Sequence, residues 1–217
     1  MRILALDTCL AACSAAIWED GRILAHQWRA MQRGQAEALL PMLEEIRAAT
    51  RFEYSDFHRL AVSIGPGSFA GVRVGLAAAR GICVARGLPL VGVNTLEVMA
   101  AAVDAAIPFG VAIDARNHQV YFQAFAHGVA LCAPALLSLG EAAAYVGNTA
   151  GVRHLAGDGA TALAAACPFN IEVMQPDLLP DAAHLAGIAA SRKAQDPVAV
   201  SPLYLRAPDA RLPGAAA

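Results

Sequence analysis

Residues 63–86 read SIGPGSFAGVRVGLAAARGICVAR, and this stretch constrains the fold most. It predicts a buried strand ending near Gly65, a Gly-Pro-Gly-Ser loop, and a helix made almost wholly of small side chains. Gly71 and Gly75 lie one turn apart, with Gly81 and several alanines nearby. Glycine inside a helix costs about 1 kcal/mol relative to alanine. Such a helix makes sense only where another backbone or helix comes close to it. An internal contact and a contact between subunits would suit it equally well. The loop also places backbone N–H groups at a helix N-terminus, where an anion could bind with help from Arg73. Its spacing is neither that of a P-loop nor GxGxxG, and a tight turn through Gly65, Pro66 and Gly67 is the simpler account.

The flanking elements follow from periodicity. RILALD (2–7) and ACSAAIWE (12–19) read as strands, and Asp20-Gly21 is a hairpin signal leading into RILAHQWR (22–29). Residues 35–49 change to helical period, with Leu39, Leu40, Leu43 and Ile46 on one face and Pro41 disturbing the first turn. Strands are expected at 59–65 and 88–93, and a helix at 94–106 capped by Asn94. FGVAID (109–114) and QVYFQAF (119–125) pair around ARNH, and a further strand covers part of 129–137. Helices are expected at 139–146, 160–166 and 181–191. A meander followed by alternating helices and strands, given twice, predicts two α/β lobes. We divide the chain into 1–105, a first lobe; 106–183, a second lobe; and 184–217, a final helix and extended tail returning to the first lobe.

Composition narrows the class. The 217 residues are 57% hydrophobic and 16% charged, enough for a sizeable core and too apolar for disorder. No apolar run reaches the roughly 18 residues a spanning helix needs, and MRILALDT charges too early for a signal peptide. A soluble cytoplasmic chain is expected. Five cysteines without a CxxC suit free thiols in a reducing compartment. The net charge is −2 and no basic stripe interleaves with aromatics, which argues against nucleic-acid binding by this chain alone.

No catalytic constellation is visible. The six histidines form neither HxxxH nor HExxH. Asp114 and His118 suit a structural hydrogen bond. LDTCLAACSAA places Asp7 at a strand end before a turn, but Thr8, Cys9, Leu10 and Ala11 stand where a phosphate-cradling turn wants glycine. In GVNTLEVMA, Thr95 and Met99 lie four apart on one helical face, the spacing at which two histidines could hold a metal.

The block GPGSFAGVRVGLAAARGICVARGLPLVGVNTLE resembles the signature of the TsaB family, also called YeaZ-like. MRILALDT, CSAAIWEDG, RGQAEALLPML, AIDARNHQVYFQAF and PLYLRAPDARLP match in order, over both lobes and the tail. The resemblance implies a two-lobed actin-like (ASKHA) α/β fold, each lobe a mixed sheet with helices. It implies a non-catalytic subunit that pairs with a TsaD-like catalytic subunit. That complex would place threonylcarbamoyl on N6 of adenosine 37 in tRNAs reading ANN codons. A TsaE-like ATPase would complete it, tRNA would be met only through it, and the chain alone would form a homodimer. The TsaD relatives carry a metal-binding histidine pair that falls at Thr95 and Met99 here. The resemblance therefore implies no metal and no tightly bound cofactor, with ATP or ADP entering at the level of the complex. It implies a dimer surface on the first two helices, for which Leu39, Met42, Leu43, Ile46, Val72, Arg73, Gly75, Leu76 and Ala79 are the candidates. The alternative is a stand-alone enzyme of the same fold: an ATP-dependent phosphotransferase or a glycoprotease-like metallopeptidase.

Overall fold

The computed structural model describes residues 1–104, 106–149 and 151–206. The expected end of the first lobe at residue 105 and the tail beyond 206 lie outside the described residues.

The first sheet runs β3-β2-β1-β4-β5. Its strands are β1 (Arg2–Asp7), β2 (Ala12–Glu19), β3 (Arg22–Ala30), β4 (Arg59–Ser63) and β5 (Leu90–Val93). The first three are an antiparallel meander, with Arg2 opposite Glu19 and Asp7 opposite Ser14. β4 and β5 add in parallel. Alternation along β1 decides both faces. Leu4 and Leu6 meet α1 (Gln35–Thr50) and α2 (Phe69–Arg86), while Ile3 and Ala5 meet α6 (Ala182–Ser191). The last helix therefore packs on the first sheet. Asp181 caps it at Ala183 N, and Ala182 N donates to Ser14 Oγ at 2.9 Å.

The second sheet runs β11-β10-β6-β7-β8, with β9 also paired to β7. Its strands are β6 (Phe109–Asp114), β7 (Gln119–Ala126), β8 (Val129–Ala130), β9 (Ala135–Ser138), β10 (His154–Ala156) and β11 (Glu172–Gln175). α4 (Leu139–Asn148) and α5 (Ala160–Ala166) cover one face. α3 (Thr95–Ala100) lies between the lobes, its Leu96 and Met99 packed with Phe109, Val111 and Ile113. Two lobes, each a mixed sheet with helices, are the arrangement expected from the sequence.

Three expectations need correction. α1 starts at Gln35 and runs straight through Pro41, which is exposed. α3 ends at Ala100, not at 106. Its last turns tighten as Ala102 N bonds Met99 O and Val103 N bonds Ala100 O, before Pro108 leads into β6. β10 and β11 were not expected at all, being three and four residues long.

A polar chain, exposed at Arg192 and buried at Asn94 and Gln123, ties the lobes. Arg192 pairs with Glu97, which accepts from Asn94 Nδ2 at 2.7 Å. Asn94 Nδ2 also donates to Gln123 Oε1 at 3.2 Å, and Gln123 Nε2 donates to Cys132 O at 2.9 Å.

The glycine stripe of α2 faces inward. A Cβ on Gly71 would lie 2.1 Å from Thr8 O, one on Gly67 would lie 2.3 Å from Cys9 O, and one on Gly75 would lie 2.6 Å from Thr8 Oγ1. Thr8 Oγ1 donates to Gly71 O at 2.6 Å. The small side chains are thus used internally, by the β1–β2 turn. Gly81, two turns later, is in open space. Gly71→Ala should cost about 3 kcal/mol or more, because backbone on both sides must move. Gly81→Ala should stabilise the chain by roughly 0.5–1 kcal/mol. Denaturant melts of the two variants should shift in opposite directions.

Candidate functional site

The C-terminal ends of β1, β4 and β5 meet the start of α3, and the residues that could carry chemistry gather there. Thr95 and Met99 are both 0% exposed. Thr95 N donates to Gly65 O at 2.9 Å, and Thr95 Oγ1 has no partner. Met99 reaches the other lobe: its Cε lies 3.3 Å from the place a Cβ on Gly157 would take. A hydroxyl and a thioether stand at this spacing, and neither suits a divalent ion. Among the described residues, no three His, Cys, Asp or Glu side chains are arranged to hold a metal. The donor set therefore does not fit a catalytic metal.

Asp7 lies beside them, fully buried. Its Oδ1 accepts Cys9 N at 3.2 Å, while Oδ2 and the neighbouring Ser63 Oγ have no hydrogen-bond partner. Burial pushes the Asp7 carboxyl up to about 6, against partial relief from the Cys9 amide. The Cys9 thiol is held well above its ordinary range, first by burial and then by the Asp7 charge. Cys9 Sγ donates to Ser63 O at 3.4 Å. A thiol held protonated in this way is not a nucleophile.

An open cleft of about 380 Å³ separates the lobes, lined by Gln35, Ser68, Asp114, Arg116, Tyr121 and Asp158 among others. Asp114 N donates to Asp158 Oδ1 at 2.8 Å, and Asp114 Oδ1 accepts Arg116 N at 2.8 Å. Burial raises the Asp158 carboxyl, with a smaller push from Asp114. Arg116, Asn117 and His118 are three successive left-handed residues, with φ of 61°, 53° and 56°. Non-glycine residues adopt that conformation at a cost of roughly 1–2 kcal/mol each, so this turn is held by its surroundings. Asp114 and His118 sit at opposite ends of it, and Asp114 is spent on Arg116 and not on the histidine.

α1 and α2 lie side by side on the first sheet, and the nine dimer candidates separate there. Leu39, Met42, Leu43, Ile46, Leu76 and Ala79 belong to the core beneath the helices. Val72 is buried and Gly75 packs on Thr8. Arg73 is the member of the set that points outward. This corrects the sequence assignment: the apolar stripe with helical period meets the sheet and is not free for a partner. The outward faces carry other residues. Leu40 and Phe69 are each 55% exposed and Val84 is 67% exposed. Around them lie Glu37, Glu44 and Glu45 on α1, and Arg73, Ala77, Gly81 and Arg86 on α2. Adjacent Leu39 and Leu40 carried the available signal, since two neighbours on a helix cannot face the same way.

Residues 29–201 match the family model described as TsaD, tRNA N6-adenosine threonylcarbamoyltransferase. The tRNA threonylcarbamoyladenosine biosynthesis protein TsaB of Escherichia coli is 41% identical over 125 residues, 56% of this chain and 54% of that protein. The match thus spans about half the length of that curated relative. An uncharacterized protein of Mycobacterium tuberculosis is 32% identical over 211 residues, covering 96% of this chain and 93% of its own. The structure of YeaZ from Pseudomonas aeruginosa superposes with a TM-score of 0.80 at 27% identity, over 94% of this chain and 99% of that one. The chain belongs to the TsaD-type family, and its likeness within it is to TsaB and YeaZ chains.

Asp7 couples folding to pH. Asp7 binds its proton more tightly folded, at about 6, than at the unfolded value of 3.8. The stabilisation from that proton is complete below the unfolded value and is lost as pH rises through about 6. The difference corresponds to about 3 kcal/mol. Stability should therefore fall by up to that amount between pH 4 and pH 6 through Asp7. Asp7→Asn should remove this part of the slope, measured by urea melts across the range.

Proposed function

We propose that this chain is a non-catalytic docking subunit of the complex that installs threonylcarbamoyl on N6 of adenosine 37 in tRNAs reading ANN codons. The chemistry belongs to a TsaD-like catalytic partner. A TsaE-like ATPase joins the assembly, tRNA is met only through it, and the chain alone pairs with itself. The observation that carries the reading is the sealed corner at α3. Thr95 and Met99 stand where the catalytic relatives are expected to hold a metal, and both are closed off from solvent. The amide of the β1–β2 turn is likewise taken up inside the protein: Cys9 N is spent on Asp7, and Cys9 O accepts Ser68 N at 2.8 Å. That leaves ATP or ADP to act at the level of the complex.

The docking surface in this reading is the outer face of α1 and α2, centred on Leu40, Phe69, Arg73 and Val84. Glu37 is exposed on α1, and Arg73 and Arg86 are exposed on α2, while Glu44 is already paired with Arg47 and Glu45 accepts from Gln27. A partner with the same helix pair, turned through a two-fold axis, would set α1 against α2. Ala77 and Gly81 let the helices approach closely.

Threonylcarbamoyl transfer by the catalytic subunit should depend on this chain when the system is reconstituted with and without it. Leu40→Glu combined with Val84→Glu should weaken pairing with the purified TsaD-like subunit by about tenfold or more, an ordinary effect for buried apolar contacts at an interface. The melting temperature of the isolated variant should stay close to wild type, since both side chains lie outside the core. Transfer that proceeds fully without this chain would overturn the reading. So would ATP turnover or stoichiometric metal in the pure chain, which the stand-alone enzyme requires.

A further inference from the structure

The tail after α6 does not simply end on the first lobe. It crosses the molecule, and each step is held. Gln195 and Leu90 exchange backbone hydrogen bonds of 2.8 and 2.9 Å along the edge of β5. Arg80 of α2 donates to Pro197 O at 3.1 Å and also to Val200 O. Leu203 N donates to Ile64 O at 2.7 Å. Tyr204 then lies on the start of α2, stacked on Phe69 with ring centroids 5.7 Å apart. The Arg73 guanidinium sits 3.5 Å over the Phe69 ring, and its Nε donates to the Tyr204 hydroxyl at 2.9 Å. Two residues later the chain has reached the other lobe. Arg206 Nη2 donates to Ala115 O at 2.7 Å and to Gln119 Oε1 at 2.8 Å. It thereby clamps the left-handed turn that lines the cleft.

Phe69 and Tyr204 are large aromatics left 55% and 48% exposed. Their position at the end of the α2 outer face makes the tail part of that face. Arg73 is pinned at Nε and by the ring beneath it, and its Nη atoms have no partner among the described residues. A carboxylate on a partner could pair with them.

The geometry points to a physical link between the docking face and the inter-lobe cleft: a partner seated on Phe69, Arg73 and Tyr204 fixes the tail, and Arg206 passes that restraint to the turn at 115–119. This rests on the docking surface proposed above and adds a consequence for the cleft. The turn is the suitable receiver, because three left-handed residues stay in place only while their surroundings hold them. Coupling of this kind is reciprocal, so ordering the turn must favour the partner by the same factor.

Hydrogen exchange of the full chain, free and bound to the TsaD-like subunit, tests the link. The amides of Ala115, Arg116 and Gln119 bond within the turn and report on it. Partner binding should slow their exchange about fivefold or more, the lower end of ordinary coupling. In Arg206→Ala the complex should still form, and the slowing should shrink to less than about twofold. Tyr204→Phe keeps the ring stack and removes only the hydroxyl that Arg73 donates to, so it gives an intermediate loss without disturbing the core. If the wild-type complex forms with no slowing, or the slowing survives Arg206→Ala, the link is overturned and the docking surface stands. If no complex forms with the wild-type chain, the docking surface itself falls, and the link with it.

Discussion

The contact on which the rest of the molecule depends is the seat of the β1–β2 turn against α2. Thr8 O and Cys9 O come so near the helix and its leading loop that Gly67 and Gly71 have no room for a Cβ. The Thr8 hydroxyl, bonded to Gly71 O, fixes the sliding position of the helix along the strand. That seat sets which way α2 is rotated. With Gly71 and Gly75 turned inward, Leu76, Ala79 and Cys83 follow them into the core, and Arg73, Ala77 and Val84 must face out. The composition of the outer face is therefore a consequence of the inner one. Each glycine forfeits about 1 kcal/mol of helix propensity, and the gain is a strand turn and helix in direct backbone contact.

The same seat closes a corner that the architecture otherwise leaves open. In a strand–turn–strand unit, turn amides that nothing else takes up are open to an anion. Here Cys9 N is turned back on Asp7, and Cys9 O is capped by Ser68 N. Asp7 is then left dry, with its carboxyl pushed up to about 6 by burial. A carboxylate kept so far from water without a counter-ion is costly, which is why its proton is held more tightly. Asp7, Ser63 and Thr95 form a small buried polar group among otherwise apolar neighbours, next to the Met99 contact with the second lobe.

Much of this was legible from residues alone, and the failures have physical causes. The meander, the strands that follow it and the start of α3 follow from alternation, Asp20-Gly21 and Asn94. The glycine stripe was legible as a close approach but not as to what approached, because Gly-xxx-Gly serves a turn of the same chain as well as a second helix. That ambiguity misplaced the dimer candidates: eight of the nine are inward. An apolar stripe says that a helix face is buried, and the sheet of the same chain is the first surface able to bury it. β10 and β11 are too short to show a period, and their pairing is imposed by β6. Arg206 could not be read as a clamp, since its partners are a backbone carbonyl and Gln119, far away in sequence and without any motif.

If α1 and α2 form the docking face, self-pairing and pairing with a catalytic homologue compete for one surface. The same apolar helix faces would serve both, so they alone do not choose between the two partners. The choice must lie in contacts that a two-fold copy reproduces poorly and a homologue reproduces well. The Phe69–Arg73–Tyr204 cluster is the place to look for such a difference. It stands at one end of the face and is built from two distant segments, Phe69 and Arg73 on α2 and Tyr204 on the tail. Aromatic and guanidinium groups held together in this way can discriminate between partners by shape. The tail that completes it also holds the cleft turn, so a partner that fits the cluster gains the restraint of the turn as well. A partner that misses the cluster gains only the helices.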